Sequence, residues 1–289
     1  MDGIGPGGDT DSTDAFAVLS NETRLGVLLA LGEARETLSF SALYDAVDID
    51  DSGQFNYHLD KLVGRFVHKT DAGYELTSAG KQVYSAVLSG LYGESVGIDP
   101  VALDRPCPDC DTGLELTYVD ETTTVGCPDC DREFISFPMP PAAVQGRDPA
   151  TLPAVVDRYQ RTAFRQATGG ICPLCTGPMD GDLRLDVLPE VDDEEMPVVV
   201  FACRRCGTHV RSTPGALVLQ HPATVEFYYS MGVDLRAIPA WSLDWFGGNA
   251  VSVRSTDPLE VAVTVEYDDE TLELAVDADL SVSVVETPA

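Results

Sequence analysis

The chain has 289 residues, 44% of them hydrophobic, which is an ordinary supply for two or three compact domains. Forty-eight acidic against 18 basic residues give a formal net charge of -30, and the basic set includes only three lysines, Lys61, Lys69 and Lys81. Taken alone, this charge argues against nucleic-acid binding, which normally needs a basic surface, but it suits a cytoplasm at molar salt, where acidic repulsion is screened.

The chain has no apolar run of about 18 residues, so we expect no transmembrane helix. The opening residues MDGIGPGGDTDSTD have neither a basic n-region nor an apolar h-region and do not resemble a secretory signal. We therefore expect a cytoplasmic protein that does not bind membranes. In a reducing cytosol, its eight cysteines are more often metal ligands or redox groups than disulfides.

Residues 1–13 are predicted to be a disordered leader, and two helical segments follow. Apolar residues at helical intervals between Asp14 and Leu31 predict one helix or two abutting ones, with Ser20 as an N-cap. A shorter helix is predicted over Ser41–Val47. Its expected inward-facing residues are Leu43, Ala46 and Val47.

A third helix is predicted from Asp51 to about Arg65, because Asp51 and Gln54 form a capping-box arrangement. Its expected buried residues are Phe55, Leu59, Leu62 and Phe66. By helical periodicity, Tyr57 and Lys61 lie on the opposite face. Gln54 lies beside them, with Asn56 and His58 on the flanks.

A small hairpin and a last helix complete this region. Val67–Lys69 and Gly73–Leu76 predict two short strands around Thr70-Asp71-Ala72. The following helix is predicted from Thr77 to about Leu91, with Val83, Val87 and Leu91 at i, i+4 spacing.

This order of elements, with the segments LSNETRLGVLLAL, FNYHLDKLV and GYELTSAGKQVY, resembles the ArsR-type winged helix-turn-helix regulators of the haloarchaeal kind over residues 14–92. The resemblance implies a homodimer whose third helix enters the major groove of double-stranded DNA while the wing touches the backbone. Carried over by position, the implied DNA contacts are Gln54, Asn56, Tyr57, His58 and Lys61, with Lys69 in the wing.

Two observations restrict this interpretation. Family metal sensors often carry a cysteine pair in the third helix, and this chain has no cysteine before Cys107, so metal sensing there is not expected. Acidic residues also surround the third helix and would repel phosphate unless turned away or screened. They are Asp48, Asp50, Asp51 and Asp60. The alternative hypothesis, that this fold only mediates protein–protein contacts, therefore stays open.

Two sets of cysteine pairs follow. Cys107-Pro108-Asp109-Cys110 and Cys127-Pro128-Asp129-Cys130 are joined by a connection of hairpin length and predict a ribbon-like module over 100–145, with the strands between them joining the two knuckles. Cys172-Pro173-Leu174-Cys175 and Cys203-Arg204-Arg205-Cys206 are joined by a longer connection and predict a second module over 169–215. The longer connection has strand-like runs at Leu183–Leu188 and Val198–Ala202, around the acidic turn VDDEEMP.

Four cysteines in each set predict two closed, structural Zn²⁺ sites, because catalytic zinc keeps one position open for water. The predicted ligands are Cys107, Cys110, Cys127, Cys130, Cys172, Cys175, Cys203 and Cys206. His209 is expected to be a surface residue, since four thiolates are already available. A redox switch built from the CxxC pairs stays open as an alternative.

A connecting helix is predicted over 149–168 between the two modules. Its expected inward residues are Leu152, Val155, Val156, Tyr159, Ala163 and Phe164. Its expected exposed basic stripe is Arg158, Arg161 and Arg165.

The last predicted domain covers residues 220–289. An aromatic-rich helix and an extended tryptophan segment, over His221–Phe246, precede four segments of alternating polarity that predict an antiparallel meander. These segments are Val251–Val253, Leu259–Tyr267, Thr271–Val276 and Leu280–Val285. The region after the winged helix also resembles a C-terminal domain found on haloarchaeal winged-helix regulators, and that resemblance implies no ligand.

The fold class expected from the sequence is α+β: a winged helix-turn-helix, two zinc-ribbon-like modules and a C-terminal β meander. No catalytic motif is present and the histidines at 58, 68, 209 and 221 form no helical ligand pair, so we expect no enzyme. The main hypothesis is a homodimeric regulator that reads a palindromic promoter site, with an unknown effector or transcription-machinery partner. The alternatives are a general transcription or adaptor protein and a thiol redox sensor.

Overall fold

The computed structural model describes residues 9–93, 95–187, 195–247 and 250–285. The chain divides into an N-terminal unit, Met1–Glu94 with Pro140–Ala142, and a C-terminal unit, Ser95–Met139 with Ala143–Ala289. Residues 1–8 of the predicted leader lie outside the described residues. The rest of that segment, from Asp9, is helical.

The N-terminal unit contains five helices and a two-stranded antiparallel sheet among its described residues. They are α1 (Asp9–Leu19), α2 (Glu22–Ala34), α3 (Phe40–Asp45), α4 (Ser52–Leu62), β1 (Val67–Thr70), β2 (Gly73–Leu76) and α5 (Ser78–Leu88). The periodic segment from Asp14 to Leu31 therefore forms parts of two separate helices.

Side-chain caps set where these helices begin. The Asn21 side chain, not that of Ser20, caps α2 by accepting a hydrogen bond from the Arg24 N–H at 3.1 Å, so the predicted cap was wrong by one position. The Ser20 hydroxyl instead donates to the Ala17 carbonyl at the end of α1. Asp51 caps α4 as predicted, accepting from the Gln54 N–H at 2.8 Å.

The core of the N-terminal unit lies between α2, α3, α4 and the hairpin. Every residue of the predicted buried face of the third helix is buried, and Phe55 makes edge contacts with Phe40 and Tyr44 at 5.3 and 5.2 Å between ring centroids. Ala46, the C-cap of α3, is exposed, contrary to prediction, whereas Leu43 and Val47 are buried as predicted.

The predicted hairpin is confirmed, with Val67 opposite Leu76 and Thr70 opposite Gly73. Leu38 adds a bridge to β2 through two hydrogen bonds with Tyr74, of 2.8 and 3.0 Å. Gly73 has a φ of 142°, and a Cβ there would lie 2.2 Å from the Leu38 carbonyl oxygen. Glycine is therefore required where the hairpin approaches this segment.

The C-terminal unit begins with a four-stranded antiparallel sheet in the order β3-β4-β5-β6. The strands are β3 (Ile98–Pro106), β4 (Gly113–Val119), β5 (Thr122–Gly126) and β6 (Glu133–Pro138). A 3-10 turn, Pro149–Thr151, then leads into α6 (Leu152–Thr168).

Two more antiparallel sheets follow. The first contains β7 (Met179–Val187), β8 (Glu195–Cys203) and β9 (His209–Ser212); the helices α7 (Gly215–Val218) and α8 (Pro222–Ser230) come next. The second is the predicted meander, with β10 (Val251–Thr256), β11 (Leu259–Tyr267), β12 (Glu270–Asp277) and β13 (Val282–Val284) in sequential order. Residues 188–194, which hold Leu188 and most of the predicted acidic turn, lie outside the described residues.

One continuous hydrophobic core joins both cysteine modules, α6 and the meander. Leu152, Val156, Phe164 and Ala167 of α6 are buried in it. Tyr159 was predicted to face inward but is 36% exposed, and its ring stacks on Phe137 with centroids 6.0 Å apart. The modules are therefore parts of one packed body rather than separate small domains.

Arg161 was predicted to be exposed and instead forms an ion pair with Asp157, which is 3% exposed. Arg161 Nε donates to Asp157 Oδ2 at 2.8 Å, and its Nη2 donates to the Ile238 carbonyl at 2.5 Å. The other Asp157 oxygen accepts from the Ala240 N–H at 2.8 Å. This network ties α6 to the tryptophan segment.

The tryptophan segment, predicted to be extended, contains three 3-10 turns: Leu235–Ala237, Ala240–Ser242 and Asp244–Phe246. Trp245 Nε1 donates to the Tyr228 hydroxyl at 2.7 Å. That hydroxyl lies 3.3 Å from the Glu266 carbonyl, to which it donates. These bonds hold the segment against α8 and β11.

Among the described residues, none of the single helices is long and apolar enough to span a membrane. The helical segments Thr13–Leu19 and Glu22–Ala34 together meet the length and composition criteria, but the chain bends by 85° between them.

Candidate metal centres

The first centre lies at one end of the four-stranded sheet, where two turns face each other. Cys107 and Cys110 lie in the turn between β3 and β4, and Cys127 and Cys130 lie between β5 and β6. The sulfur atoms of Cys107 and Cys130 are 3.7 Å apart, and those of Cys110 and Cys127 are 3.3 Å apart.

The second centre repeats this arrangement. Cys172 and Cys175 precede β7, and Cys203 and Cys206 lie at the turn between β8 and β9. The sulfurs of Cys172 and Cys206 are 3.7 Å apart, and those of Cys175 and Cys203 are 3.6 Å apart.

Both sets have the geometry of a four-sulfur metal site. Within each set all four sulfurs lie within 4.8 Å of one another. Four thiolates around a tetrahedral ion with metal–sulfur bonds of about 2.3 Å would be about 3.8 Å apart. A disulfide needs about 2.05 Å, so the observed separations fit two metal-binding sets and not disulfides. The two sets fit the predicted ribbon-like modules.

All four CxxC turns share one backbone conformation. The residue after each second cysteine has a positive φ: Asp111 at 63°, Asp131 at 55°, Thr176 at 56° and Gly207 at 76°. In each turn the N–H of the first cysteine donates to the carbonyl at position i+5, at 2.7–2.9 Å. The chain reversal in each turn directs both sulfurs of the pair toward the centre of their four-sulfur set.

The two turns of the first centre are also bonded to each other. The Thr112 hydroxyl donates to Asp129 Oδ2 at 2.6 Å, and Arg132 pairs with Asp109. None of these four residues was predicted to take part in the site. The signal was available in the repeat of CPDCDT and CPDCDR, in which the first aspartate of each turn meets the last residue of the other.

Each centre has a buried side and an open side. Cys107, Cys127, Cys172 and Cys203 are at most 5% exposed, and they anchor the centres in the core. The remaining four face outward: Cys110, Cys130 and Cys206 are exposed and Cys175 is half-buried.

Hydrogen bonds favour the thiolate form of two outward cysteines. The Thr112 N–H is the main cause that lowers the pKa of Cys110 to about 7. The Thr208 hydroxyl is the main cause that lowers the pKa of Cys206 to about 6. The Arg132 N–H acts in the same direction on Cys130, but burial and the neighbouring cysteines outweigh it and raise the pKa of Cys130 to about 12. A metal ion that binds to these sulfurs must displace any proton that a thiol still carries.

His209 is exposed, as predicted, and belongs to neither sulfur set. In the N-terminal unit, five of the six predicted DNA contacts are exposed: Gln54, Asn56, Tyr57, Lys61 and Lys69. Tyr57 is 56% exposed, and Lys61 Nζ lies 5.4 Å from the centroid of its ring.

His58 does not belong with that exposed set. Its side chain is only 9% exposed, on the side of α4 that packs against the core. Its Nδ1 has no hydrogen-bond partner among the described residues, and its ring makes an edge contact with Tyr57 at 5.4 Å. Of the two roles expected for His58, a contact near phosphate or structural packing, its burial fits packing, because Phe55, His58 and Leu62 have the i, i+3, i+7 spacing that shares one face of a helix.

The geometry defines a mixed α and β protein with helices at its N-terminus, antiparallel sheets at its C-terminus and two four-cysteine centres that could hold metal ions. The family model described as a domain of unknown function (DUF7351) matches residues 104–282, and the chain belongs to that family. A second model, also a domain of unknown function (DUF7347), matches residues 12–87. No curated protein and no solved structure matches the chain significantly.

Proposed function

We propose that both cysteine sets hold structural Zn²⁺. The observation that supports this is the sulfur spacing: two pairs lie 3.3 and 3.7 Å apart in the first set and 3.6 and 3.7 Å apart in the second, and all four sulfurs of each set lie within 4.8 Å of one another. The buried cysteines also form part of the shared core. Native mass spectrometry and elemental analysis should find two zinc ions per chain. Iron, with its visible absorption, or fewer than two ions in freshly purified protein would contradict the proposal.

We further propose that the chain is a DNA-binding transcriptional regulator of the winged helix-turn-helix type. The observation that carries this proposal is the division of α4 into two faces. Phe55, Leu59 and Leu62 are fully buried, which fixes the helix, while Asn56, Tyr57 and Lys61 are exposed. Amide, hydroxyl and ammonium groups on a rigid helix are suited to contact base edges and phosphates.

The element order supports the same proposal. Helices α2, α3 and α4 precede the β1–β2 hairpin and α5, which is the order of a winged helix-turn-helix. Lys69 is exposed on β1, where it would meet the backbone beside the groove. Lys69 Nζ lies 5.6 Å from the centroid of the Tyr74 ring, which holds it on the hairpin.

Acidic residues set the conditions for this binding. Asp60 lies on the exposed face of α4, where Asn56 Nδ2 donates to it at 3.2 Å, and Asp51 is occupied as the N-cap. With a net charge of -30, long-range repulsion from DNA has to be screened, as it is when the Debye length falls to about 3 Å in molar salt. We therefore expect binding to tolerate high salt better than that of an ordinary basic regulator.

We also propose a homodimer. Large apolar side chains are exposed on and beside the first and last helices of the N-terminal unit. They are Phe16 (73% exposed), Leu88 (56%), Leu91 (45%) and Tyr92 (80%). Such residues on two helices support a self-association surface, and a twofold dimer would place two α4 helices on a palindromic site.

The test is binding of the full zinc-loaded chain to its own upstream DNA and to random duplex, in a KCl series that reaches molar concentration. A triple variant, Gln54→Ala, Tyr57→Ala and Lys61→Ala, should lose the preference for the specific DNA. Lys81→Ala removes the same charge from the exposed first turn of α5 and should leave that preference unchanged. Equal binding of both duplexes by the native chain, with zinc bound and the dimer intact, would contradict the proposal.

A protein adaptor is the second candidate, and the position of Asp60 on the exposed face of α4 favours it. In that case α4 would contact a basic protein surface instead of phosphate. Asp60→Asn distinguishes the two: it should strengthen DNA binding if α4 reads DNA, and should weaken co-purification with transcription proteins if α4 is an adaptor surface.

A further inference from the structure

We propose that the exposed face of α6 is a second DNA contact, which binds the phosphate backbone of duplex DNA through Arg158 and Arg165. This inference rests on the proposed DNA binding, and it adds a contact in the C-terminal unit that does not read sequence. Both arginines are exposed, and Thr162 and Gln166 are exposed beside them. These four residues form what we call the arginine stripe.

The arginine stripe follows one side of the helix. Residues seven apart are close to two turns apart, so Arg158 and Arg165 lie about 20° from each other around α6 and about 10.5 Å apart along its axis. Phosphates of one DNA strand recur about every 3.4 Å along the duplex axis. Both guanidinium groups can therefore reach phosphates of the same duplex.

No carboxylate among the described residues neutralises either arginine. In the described part of the C-terminal unit, eight other arginines form ion pairs with aspartate or glutamate: Arg105, Arg132, Arg161, Arg184, Arg204, Arg211, Arg236 and Arg254. Arg165 Nε instead donates to the neutral Oε1 of Gln220, at 3.4 Å. In a chain with a net charge of -30, Arg158 and Arg165 thus keep their positive charges for an external anion.

The sequence around the arginine stripe is poor in acidic residues. Residues 149–179 contain one of the 48 in the chain, Asp157, which is 3% exposed and paired with Arg161. Asp148 lies before the helix, where it caps the 3-10 turn, and Asp279 shares a surface depression with Thr168 at the other end of α6. The middle of α6 therefore presents positive charge with little local repulsion of phosphate.

The side chains of the stripe favour phosphate over a protein partner. Protein interfaces depend on apolar anchors at their centre. Among the described residues of α6, Tyr159 is the one large hydrophobic side chain that is exposed, at 36%, and it lies beside the stripe rather than in it. Guanidinium groups bind phosphate oxygens through two hydrogen bonds at once, and the exposed amide of Gln166 can donate another.

The test measures binding of the full zinc-loaded chain to its own upstream DNA and to random duplex across a KCl series. The double variant Arg158→Gln and Arg165→Gln should weaken binding to both duplexes by the same factor, about tenfold over the lower part of the series. Each lost phosphate contact should also make the slope of log K against log salt less negative by about 0.9, which gives up to roughly 1.8 for the double variant. Arg158→Lys with Arg165→Lys keeps both charges and should keep most of the native slope.

The control is Arg236→Gln with Arg254→Gln, which removes the same charge from two arginines of the same unit that are paired with carboxylates. This variant should keep the native slope, and melting temperatures show whether all variants are folded. If the control weakens binding as much as the stripe variant does, net charge and not the arginine stripe governs binding, and the inference is overturned. It is also overturned if the stripe variant loses self-association in the absence of DNA and binds DNA as the native chain does, because the stripe would then be a protein contact.

The outcomes separate this inference from the proposed regulator. If the native chain prefers its upstream DNA and the stripe variant has native affinity and slope, the arginine stripe is refuted and the regulator stands. If the native chain binds both duplexes equally and the stripe variant alone changes the slope, the regulator is refuted and the arginine stripe stands. A native chain that binds neither duplex refutes both.

Discussion

The hydroxyl of Thr112 donates a 2.6 Å hydrogen bond to the carboxylate of Asp129, which lies in the opposite CxxC turn of the first metal centre. On the other side of the same centre, Arg132 reaches back to Asp109. The two turns are thus held together by one hydrogen bond from a neutral group and one ion pair. These two bonds are expected to respond differently to salt.

Asp129→Ala should lower the free energy of unfolding by about 1 kcal/mol at both low and molar KCl, because a neutral donor is not screened. Asp109→Asn should lower it by about 0.5 kcal/mol at low salt and by almost nothing at molar KCl, because its partner interaction is a partly exposed ion pair. Urea unfolding at one fixed metal content measures both. An equal salt dependence of the two variants would refute this distinction.

The positive φ after each second cysteine should make these positions sensitive to side-chain type. Gly207→Ala should destabilise the second centre by about 1 kcal/mol, because a Cβ opposes a φ of 76°. Thr176→Gly should stabilise it by roughly 1 kcal/mol, since a β-branched residue occupies this region at a cost. Gly113→Ala is the control: its φ is not positive and the space around it is open, so we expect little change.

Cys172 and Cys110 should differ when replaced by serine. Cys172 is fully buried in the shared core, and Cys172→Ser should remove one metal ion and destabilise the whole C-terminal unit by several kcal/mol. Cys110 lies on the open side of its centre, and Cys110→Ser should remove one metal ion with a smaller fall in melting temperature. Elemental analysis and calorimetry on the same samples test this order, and the reverse order would contradict it.

Arg161→Met should destabilise the C-terminal unit by about 3 kcal/mol, because it leaves the buried Asp157 carboxylate without its cation. Arg158→Met, at an exposed position on the same helix, should change stability by less than about 0.5 kcal/mol. Chemical unfolding followed by tryptophan fluorescence reports the difference, since Trp241 and Trp245 lie in the segment that Asp157 holds. Similar values for the two variants would show that the pair contributes nothing.

Acid should release the metal from both centres. In the second centre, we expect the Thr208 hydroxyl to lower the midpoint pH of this release. Hydrogen bonds, of which that with the Thr208 hydroxyl is the largest cause, lower the pKa of Cys206 from 9.0 to about 6, so the stabilisation from this thiolate is full above pH 9 and is lost as the pH falls through 6. Thr208→Val should raise that pKa and move metal release to higher pH.

The control is Thr176→Val, because the Thr176 hydroxyl donates to the Cys175 carbonyl and not to a sulfur. A chromogenic chelator followed across a pH titration gives the midpoint of release for each variant. If Thr208→Val releases metal at the same pH as the native chain, the hydroxyl has no role in holding the thiolate.

Local patterns in the sequence were sufficient for most elements. Strands were predicted between the first two cysteine pairs, and in β4 the alternating residues Leu114, Leu116 and Tyr118 are fully buried or nearly so. The periodic apolar residues of α4 predicted its buried face, and the meander followed from alternation alone. The four-cysteine sets followed from CxxC spacing, because two cysteines at i, i+3 on a tight turn direct both sulfurs the same way.

Local spacing could not decide whether a side chain at the boundary of a helical face is covered, and it misplaced Arg161. His58 lies on the flank of α4, and only the packing of neighbouring elements decides whether that flank is covered. Arg161 was predicted to be exposed. However, the buried Asp157, one helical turn before it, accepts a hydrogen bond from the Ala240 N–H, and Arg161 itself donates to the Ile238 carbonyl. These contacts with a distant part of the chain keep Arg161 partly buried.

Spacing between near neighbours in the chain was enough to predict which cysteines form each four-sulfur set, most of the helices and strands, and which side of α4 is apolar. Only the packed fold shows that both cysteine modules and the meander share one core, that the turns of the first centre are bonded to each other, and that Arg161 bonds to Asp157 and to the Ile238 carbonyl. Those relationships join residues far apart in sequence, and they depend on how the three sheets and α6 pack.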